Sequence, residues 1–392
     1  MKKVLISGAS IAGPALAHWL DAAGWQTTIV ERAAELRSAG QNIDIRGAAR
    51  EVVRRMGIED EIRAAGTGEL GTRIIGPDGR IKASFPAAAG DDTGGATAEL
   101  EILRGELSRI ITERTTGRTE YLFGDTITAV HEDADGVAVS FAHGPDRRFD
   151  LVVLAEGMRS RTRDLVFGSQ PTIRELGMYT SYFTVPRLPG DTDWWLWFNA
   201  PGGRNVGLRP DNVGTMRATL SFMSGPEGYE RLEVAEQKQV LHRIFGDVGW
   251  QAPRVLAALD DAELYFESLG QVHAPTWHHG RVGLLGDAAY CASPISGMGT
   301  SLALVGAYVL GGELARADSH RQAFASYETI MRPYVRQAQK LAPGAPRLAN
   351  PQSRLGISVL HNAMAVAARF SRLGVAGRIF TPPADKIDLP AY

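Results

Sequence analysis

The sequence predicts an α/β protein: a parallel sheet with helical crossovers interleaved with a mostly antiparallel sheet, followed by C-terminal helices. Three observations carry this prediction. Residues 2–32 read as strand, glycine turn, helix, strand and acid. Residues 175–269 switch to short strands separated by Gly, Pro, Asp and Asn turns. Residues 281–316 return to a strand that ends in an acid and leads into a helix.

The first block is the most informative. Lys2 to Ser7 is a short buried strand. Gly8-Ala9-Ser10-Ile11-Ala12-Gly13 turns the chain into an Ala-rich helix running to about Ala23. Gln26 to Val30 is a β-branched strand that ends in Glu31. This is the layout of a dinucleotide-binding crossover. Gly8 permits the tight turn, and Gly13 lets the helix pack close to the sheet. The first helical turn, with Ile11 and Ala12, offers unpaired N–H groups to a pyrophosphate. Glu31 can accept hydrogen bonds from an adenosine ribose. Ser10 stands where the fingerprint has its middle glycine. The same chain holds a control: Gly66-Thr67-Gly68-Glu69-Leu70-Gly71 matches the glycine pattern in full but follows a helix end. It lacks the βαβ context and reads as a loop.

Further along, residues 40–47 form a short strand in which Ile43 and Ile45 alternate with Asp44 and Arg46. Ala48 to Ala65 is helical and broken at Gly57. Thr72 to Ser84 is a hairpin turning at Pro77-Asp78-Gly79, followed by a Gly/Ala/Asp-rich loop. Glu99 to Thr115 reads as a helix with Leu103, Leu107, Ile110 and Ile111 at core spacing and Arg104 beside that stripe. Thr119 to Arg148 gives three strand-like pieces. Asp150 to Ala155 is a further buried strand ending at Glu156-Gly157, ahead of Ser160, Arg161 and Arg163.

Four strands are read between Tyr179 and Phe222, carried by a helix over Glu233 to Phe245. Five of the seven tryptophans fall between Trp194 and Trp277, so this sheet can wall a flat apolar ligand. The third block runs from the strand Arg281 to Leu285 through Asp287, Pro294, Gly297, Met298 and Gly299 into a helix ending near Arg316. An acid there can bind a ribityl hydroxyl. The two glycines let backbone amides approach the electron-accepting edge of a flat ring, and the helix dipole stabilises negative charge at it. Amphipathic helices follow over about 319–341, interrupted at Pro343 and Pro346, and over about 353–370.

Residues 1–70, 96–168 and 272–318 are assigned to the nucleotide-binding domain. Residues 71–95 and 169–271 are assigned to the substrate-binding sheet, and 319–392 to a helical segment. The chain has 392 residues, 44% of them apolar, and a net charge of −2, which gives no global field for nucleic acid or an anionic membrane. The single cysteine, Cys291, excludes an intrachain disulfide and suits a reducing cytoplasm. The apolar run Leu302 to Leu310 is too short for a membrane span.

These three blocks together resemble the single-component FAD-dependent aromatic hydroxylases, the group A monooxygenases of p-hydroxybenzoate hydroxylase fold. Within that group the chain is most similar to the tetracycline-inactivating monooxygenases. The resemblance implies a Rossmann-type FAD-binding domain. It implies that Gly8, Ser10, Gly13 and Glu31 hold the ADP half of FAD, with Arg32 beside the adenine. Asp44 and Arg46 match a stretch near the flavin, and Arg104 matches a helix arginine near the FAD phosphates. Asp287, Pro294, Gly297 and Gly299 match the ribityl and ring site. The implied reaction uses NADPH or NADH and O2 to hydroxylate an aromatic or polycyclic small molecule through a flavin C4a-hydroperoxide. No protein acid, base or nucleophile and no metal is required, and a monomer or homodimer is expected. NAD(P)H is expected to dock near Arg46 and the Arg159 to Arg163 turn.

Three departures from the family pattern stand out: Ser10 for glycine, Glu156 for an aspartate, and Tyr290 where histidine is common. Rival readings are a halogenase, since Trp195-Leu196-Trp197 is similar to that family's W-x-W pair, a reductase of the same fold, and a flavoprotein that only sequesters its ligand. Substrate-stimulated NAD(P)H oxidation separates the enzymes from the binder, and product mass separates hydroxylation from chlorination or hydrogenation.

Overall fold

The computed structural model describes residues 1–37, 40–87, 100–342, 344–371 and 387–392. Among these, six strands form the nucleotide-side sheet in the spatial order His278–His279, Val282–Leu284, Leu151–Leu154, Lys3–Ser7, Gln26–Glu31 and Glu120–Phe123. All neighbours are parallel except the His278–His279 edge. Central parallel strands are covered on both faces and therefore carry continuous apolar runs, as Val4-Leu5-Ile6 and Leu151 to Leu154 do. The helices Ala12–Ala22 and Gly299–Arg316 pack against each other beside this sheet. A small sheet of Ile127–Asp133, Gly136–Phe141 and Arg147–Phe149 contributes Val137, Val139 and Phe149 to the same core.

Seven further strands form the second sheet, in the order Tyr265–His273, Thr172–Pro186, Thr215–Met223, Arg204–Pro210, Trp195–Ala200, Gly71–Ile75 and Ile81–Pro86. It is antiparallel apart from the pairing of Trp195–Ala200 with Gly71–Ile75. Its two faces differ. Phe183, Val206, Leu208, Leu220 and Phe266 point into a core closed by the helices Val234–Phe245 and Ala252–Leu259. The opposite face is polar and aromatic. Part of it is covered by the helix Arg354–Ser371, whose Ala368 joins Ile74 and Ala83 in a small cluster against which Met364 and Trp197 pack.

The α/β class, the parallel crossover and the C-terminal helices agree with the reading of the sequence. Several elements differ. The helix read from residue 99 begins at Arg104, because Glu101–Leu103 is a strand paired with Asn42–Asp44. The stretch 119–148 holds four strands, not three, and the first of them joins the parallel sheet. The helix Ala252–Leu259 and the strand Tyr265–His273 were not read at all. Pro346 does not simply interrupt: it sits in the first turn of a short helix, Ala345–Ala349. Pro343 and the Gly/Ala/Asp-rich stretch 88–99 lie outside the described residues. The Gly66 to Gly71 segment is indeed a loop, with its Glu69 fully buried.

Candidate active site

The turn at Gly8 is built for close approach. Gly8 has φ +112°, and a Cβ there would stand 2.5 Å from the Ala155 carbonyl oxygen. A Cβ on Gly13 would stand 2.0 Å from the Gly8 carbonyl oxygen. Both positions therefore need glycine. The helix Ala12–Ala22 has no side-chain cap and no acid in its first turn, so its N-terminal N–H groups face the turn without a built-in anion. Glu31 accepts the Ala9 N–H through Oε2 and the Ala33 N–H through Oε1, both at 2.9 Å. Arg32, next in the chain, is exposed.

Arg104 opens its helix and donates to Ser10 Oγ at 3.0 Å, so a guanidinium lies against the glycine turn. The small side chain that departs from the glycine fingerprint is thus the one that receives Arg104. Ser108, one helical turn further on, donates to the Ala9 and Ser10 carbonyls. Glu156 receives Ser7, Ser160 and Thr162 hydroxyls and the Thr162 N–H. Its longer arm ties the end of the first strand to the next crossover turn.

The third block comes to the same place. Gly286 lies after the strand Val282–Leu284, and Asp287 begins a single helical turn. Burial raises the Asp287 carboxyl above its ordinary value, while the charge of Arg104 opposes the rise. Yet Asp287 is accessible to solvent. A group that is both accessible and surrounded by protein lines a deep cleft. Ser293 and Gly297 have φ of +73° and +63° and frame a 3-10 turn over Pro294–Ser296. Met298 is fully buried, and Gly299 starts the long helix. The Ser301 hydroxyl accepts from the Arg46 N–H at 3.1 Å and donates to its carbonyl at 3.2 Å, which fastens the Asp44 to Arg46 segment to that helix. Arg46 is only 3% exposed and bonds Asp44 at 2.9 Å.

Across the cleft stands the polar face of the seven-stranded sheet. Directly opposed residues share a face. Tyr265, Tyr182, Thr219, Gly207 and Trp197 form one row across five strands. The Trp195 indole N–H is buried without a partner, 3.4 Å from where a Gly207 Cβ would lie. Tyr265 Oη donates to Glu267 Oε2 at 3.0 Å. Arg209 donates to both Glu69 and Glu101 and stacks on Trp195 at 4.3 Å. None of Tyr182, Tyr265, Glu267, Arg209, Ser108 or Ser301 was singled out from the sequence. Hydroxyls and lone charges on mid-sheet strands carry no local motif, and only the strand alternation could have pointed to them.

The Gly8 turn, Glu31, Arg104, the Asp44–Arg46 segment and the 287–299 loop are therefore brought together, from stretches far apart in the chain. In the Arg159 to Arg163 turn, expected to lie near docked NAD(P)H, Arg161 is exposed while the other two arginines are engaged. Arg163 is 2% exposed and donates to the Met158 and Ala288 carbonyls, while Arg159 pairs with Glu175 and Glu230.

Such a fold and site define a dinucleotide-binding flavoprotein. The donor set suits FAD in particular: a glycine cradle that a Cβ would fill, a helix N-terminus and Arg104 for the pyrophosphate, and Asp287 in the cleft. A family model described as FAD binding domain matches residues 1–342. A flavin-dependent monooxygenase of Phoma sp, eupH, is 34% identical over 421 residues, covering 100% of this chain and 97% of that protein. The crystal structures of the tetracycline destructases Tet(51) and Tet(55) superpose with TM-scores of 0.84 and 0.83, at 30% and 32% identity. Both cover 100% of this chain, and the alignments cover 100% and 99% of those chains. The chain belongs to the FAD-binding monooxygenase family and is an FAD oxidoreductase of this fold. Among the described residues no helix is long and apolar enough to cross a membrane.

Proposed function

We propose that the protein uses NADPH or NADH and O2 to hydroxylate an aromatic or polycyclic small molecule held in the cleft. One observation carries this reading. The row Tyr265, Tyr182, Thr219, Gly207 and Trp197 gives this side of the sheet an aromatic-flanked strip, and at its Tyr265 end the neighbouring Glu267 faces Asp287 and Arg104. A planar ligand lying there is stacked on the side from which a flavin ring would be reached.

FAD, when bound, supplies the electron transfer and oxygen chemistry. The chain supplies binding, orientation and dryness. Gly8 leaves the turn room for close approach while its own N–H donates to the Val30 carbonyl; Ser10, Ile11, Ala12 and Gly13 present backbone N–H groups to the pyrophosphate, and Arg104 balances its charge. Glu31 takes the adenosine ribose, and Arg32 lies beside the adenine. Asp287 accepts ribityl hydroxyls. Asp44 and Arg46, fixed through Ser301, shape the flavin edge. Pro294, Gly297 and Met298 form the turn, with the Gly297 N–H donated to the Pro294 carbonyl and the Met298 N–H to Ser296 Oγ, and Gly299 opens the long helix whose dipole would lie at the electron-accepting end of the ring. In this reading residues 1–70, 96–168 and 272–318 carry the cofactor, 71–95 and 169–271 carry the substrate, and 319–392 close the molecule.

The test is a product mass. FAD-loaded protein is incubated with NADPH, or NADH, and a panel of polycyclic phenols, tetracyclines and rifamycins. A gain of one oxygen atom with matching NAD(P)H oxidation is the expected result. Chlorinated or hydrogenated products, or ligand binding without turnover, would replace hydroxylation by one of the rival activities.

A further inference from the structure

We propose that Glu267, held by Tyr265, sets the ligand class of the cleft: it accepts a hydrogen bond from a phenolic or enolic hydroxyl or an amine N–H, and it rejects aromatic carboxylates. The inference rests on reading the cleft as the substrate site.

Glu267 lies in the strand Tyr265–His273, opposite Thr180, and Tyr265 lies opposite Tyr182. Phe266 between them is in the sheet's core, so alternation turns Tyr265 and Glu267 to the cleft. The groups that face the carboxylate come from every side. Tyr265 is on its own strand and Tyr182 on the neighbouring one. Asp287 and Cys291 come from the loop beyond the parallel sheet, Arg104 from its helix start, and Arg159 from the turn before Ser160. Among these, the hydrogen bond is with Tyr265. Arg104 bonds Ser10, and Arg159 bonds Glu175 and Ser268. Among the described residues no cation lies within ion-pair distance of Glu267.

On the same face, Arg209 serves Glu69 and Glu101, and Arg217 serves Asp211 and Thr184. Beside Glu267 the wall therefore offers a ligand carboxylate no paired cation and confronts it with an acid held only by Tyr265. A ligand donor meets the reverse: an acceptor aligned through one oxygen by Tyr265. Specificity of this kind comes from repulsion as much as attraction. Burial, with a contribution from Asp287, pushes the Glu267 carboxyl up to about 7, against the pull of Arg104 and Arg159. Its negative charge thus develops as pH rises through neutrality, and the selectivity develops with it.

The experiment uses FAD-loaded protein and four matched probes: 1-naphthol, 1-naphthylamine, 1-methoxynaphthalene and 1-naphthoate. Affinities are read from the flavin difference spectrum at pH 6 and 8, and FAD content from the visible spectrum. At pH 8 the naphthol and the amine should bind roughly tenfold or more tightly than the ether, the factor expected of a hydrogen bond to a charged acceptor. Naphthoate should bind weakest and improve about tenfold at pH 6, a change of about 1.4 kcal/mol. Glu267→Gln should bind naphthoate equally at both pH values, at the stronger level. Equal affinities for the four probes in the wild type, a pH-independent naphthoate affinity, or no binding by any probe overturns the proposal. The wild-type pH series decides alone if Glu267→Gln does not fold. Product analysis on the same samples separates the two claims: the affinity order without oxygenated product removes the hydroxylase reading and leaves the role of Glu267 standing.

Discussion

Glu31 shows how a residue recognised from sequence gains a second duty in three dimensions. Its two oxygens hold the Ala9 N–H inside the glycine turn and the Ala33 N–H beyond the strand. Glu31→Ala should therefore weaken FAD binding by about 10- to 150-fold, the equivalent of one hydrogen bond to a charged group at about 1.5–3 kcal/mol. A fluorescence titration of the apoprotein with FAD measures it, and an unchanged dissociation constant would remove Glu31 from the site. Arg46 calls for a different expectation from the one its sequence suggests. A surface arginine would affect only NAD(P)H use, but this one is buried against Asp44 and fastened to Ser301. Breaking a buried pair from one side costs about 3–5 kcal/mol. Arg46→Ala should lower the thermal midpoint of the apoprotein and reduce FAD retention together. Stopped-flow reduction that slows while both stay at wild-type values would restore the docking role. Glycines, acids at strand ends and their spacing were legible because each acts at its own place in a local strand–turn–helix pattern. Glu267 was not, because its meaning depends on which face of a strand it occupies and what stands across the cleft.

At the scale of elements, local sequence misleads where a distant partner decides. Leu100 to Arg104 carries apolar and charged residues at helical spacing, yet Glu101–Leu103 extends because Asn42–Asp44 pairs with it. Tertiary pairing overrides propensity in such a short stretch. The same strand delivers Glu101 to Arg209, together with Glu69 from the loop that mimics a nucleotide motif. Burial pushes the Glu101 carboxyl up, and Arg209 pulls it back. The row through Gly207 supports a separate prediction. A Cβ there meets Thr219 Cβ at 3.3 Å and the Trp195 indole nitrogen at 3.4 Å. Gly207→Val therefore displaces the Trp195 indole and Thr219 on this side of the sheet, away from the Gly8 turn. It should abolish binding of bulky polycyclic ligands while the protein stays yellow with FAD. Retained turnover of the panel substrate would place the ligand elsewhere.

For the whole molecule, raised carboxyls and lowered histidines pull the stability profile in opposite directions. Burial raises Glu267 to about 7 and also raises Asp287 and Asp21, so the folded state binds protons that the unfolded state has released. Stability from these groups is present below the ordinary carboxyl range and falls as pH rises from about 4.5 to about 7. Glu106 and Glu120, paired with Arg109 and Arg147, are shifted down and act the other way below that range. Burial lowers His18, His273, His320 and His361, so their contribution is lost as pH falls below about 6.5 and opposes the carboxyl trend. Glu267→Gln should therefore raise the thermal midpoint of the apoprotein more at pH 8 than at pH 5. Thermal denaturation of both proteins at the two pH values decides, and an equal shift at both contradicts it.

The strand order of the parallel sheet also bears on how the protein is made. The strand Lys3–Ser7 emerges first but is flanked by Gln26–Glu31 and by Leu151–Leu154, and the latter is flanked in turn by Val282–Leu284. The turn at Gly8 is braced by Ala155, and the loop facing it begins only at Gly286. A growing chain thus carries its nucleotide fingerprint for most of synthesis before the partners that shape it exist. FAD can be captured only by a nearly complete polypeptide, and non-local sheet closure of this kind is slow. Supply of the flavin late in biosynthesis, rather than at its beginning, should set the yield of active protein.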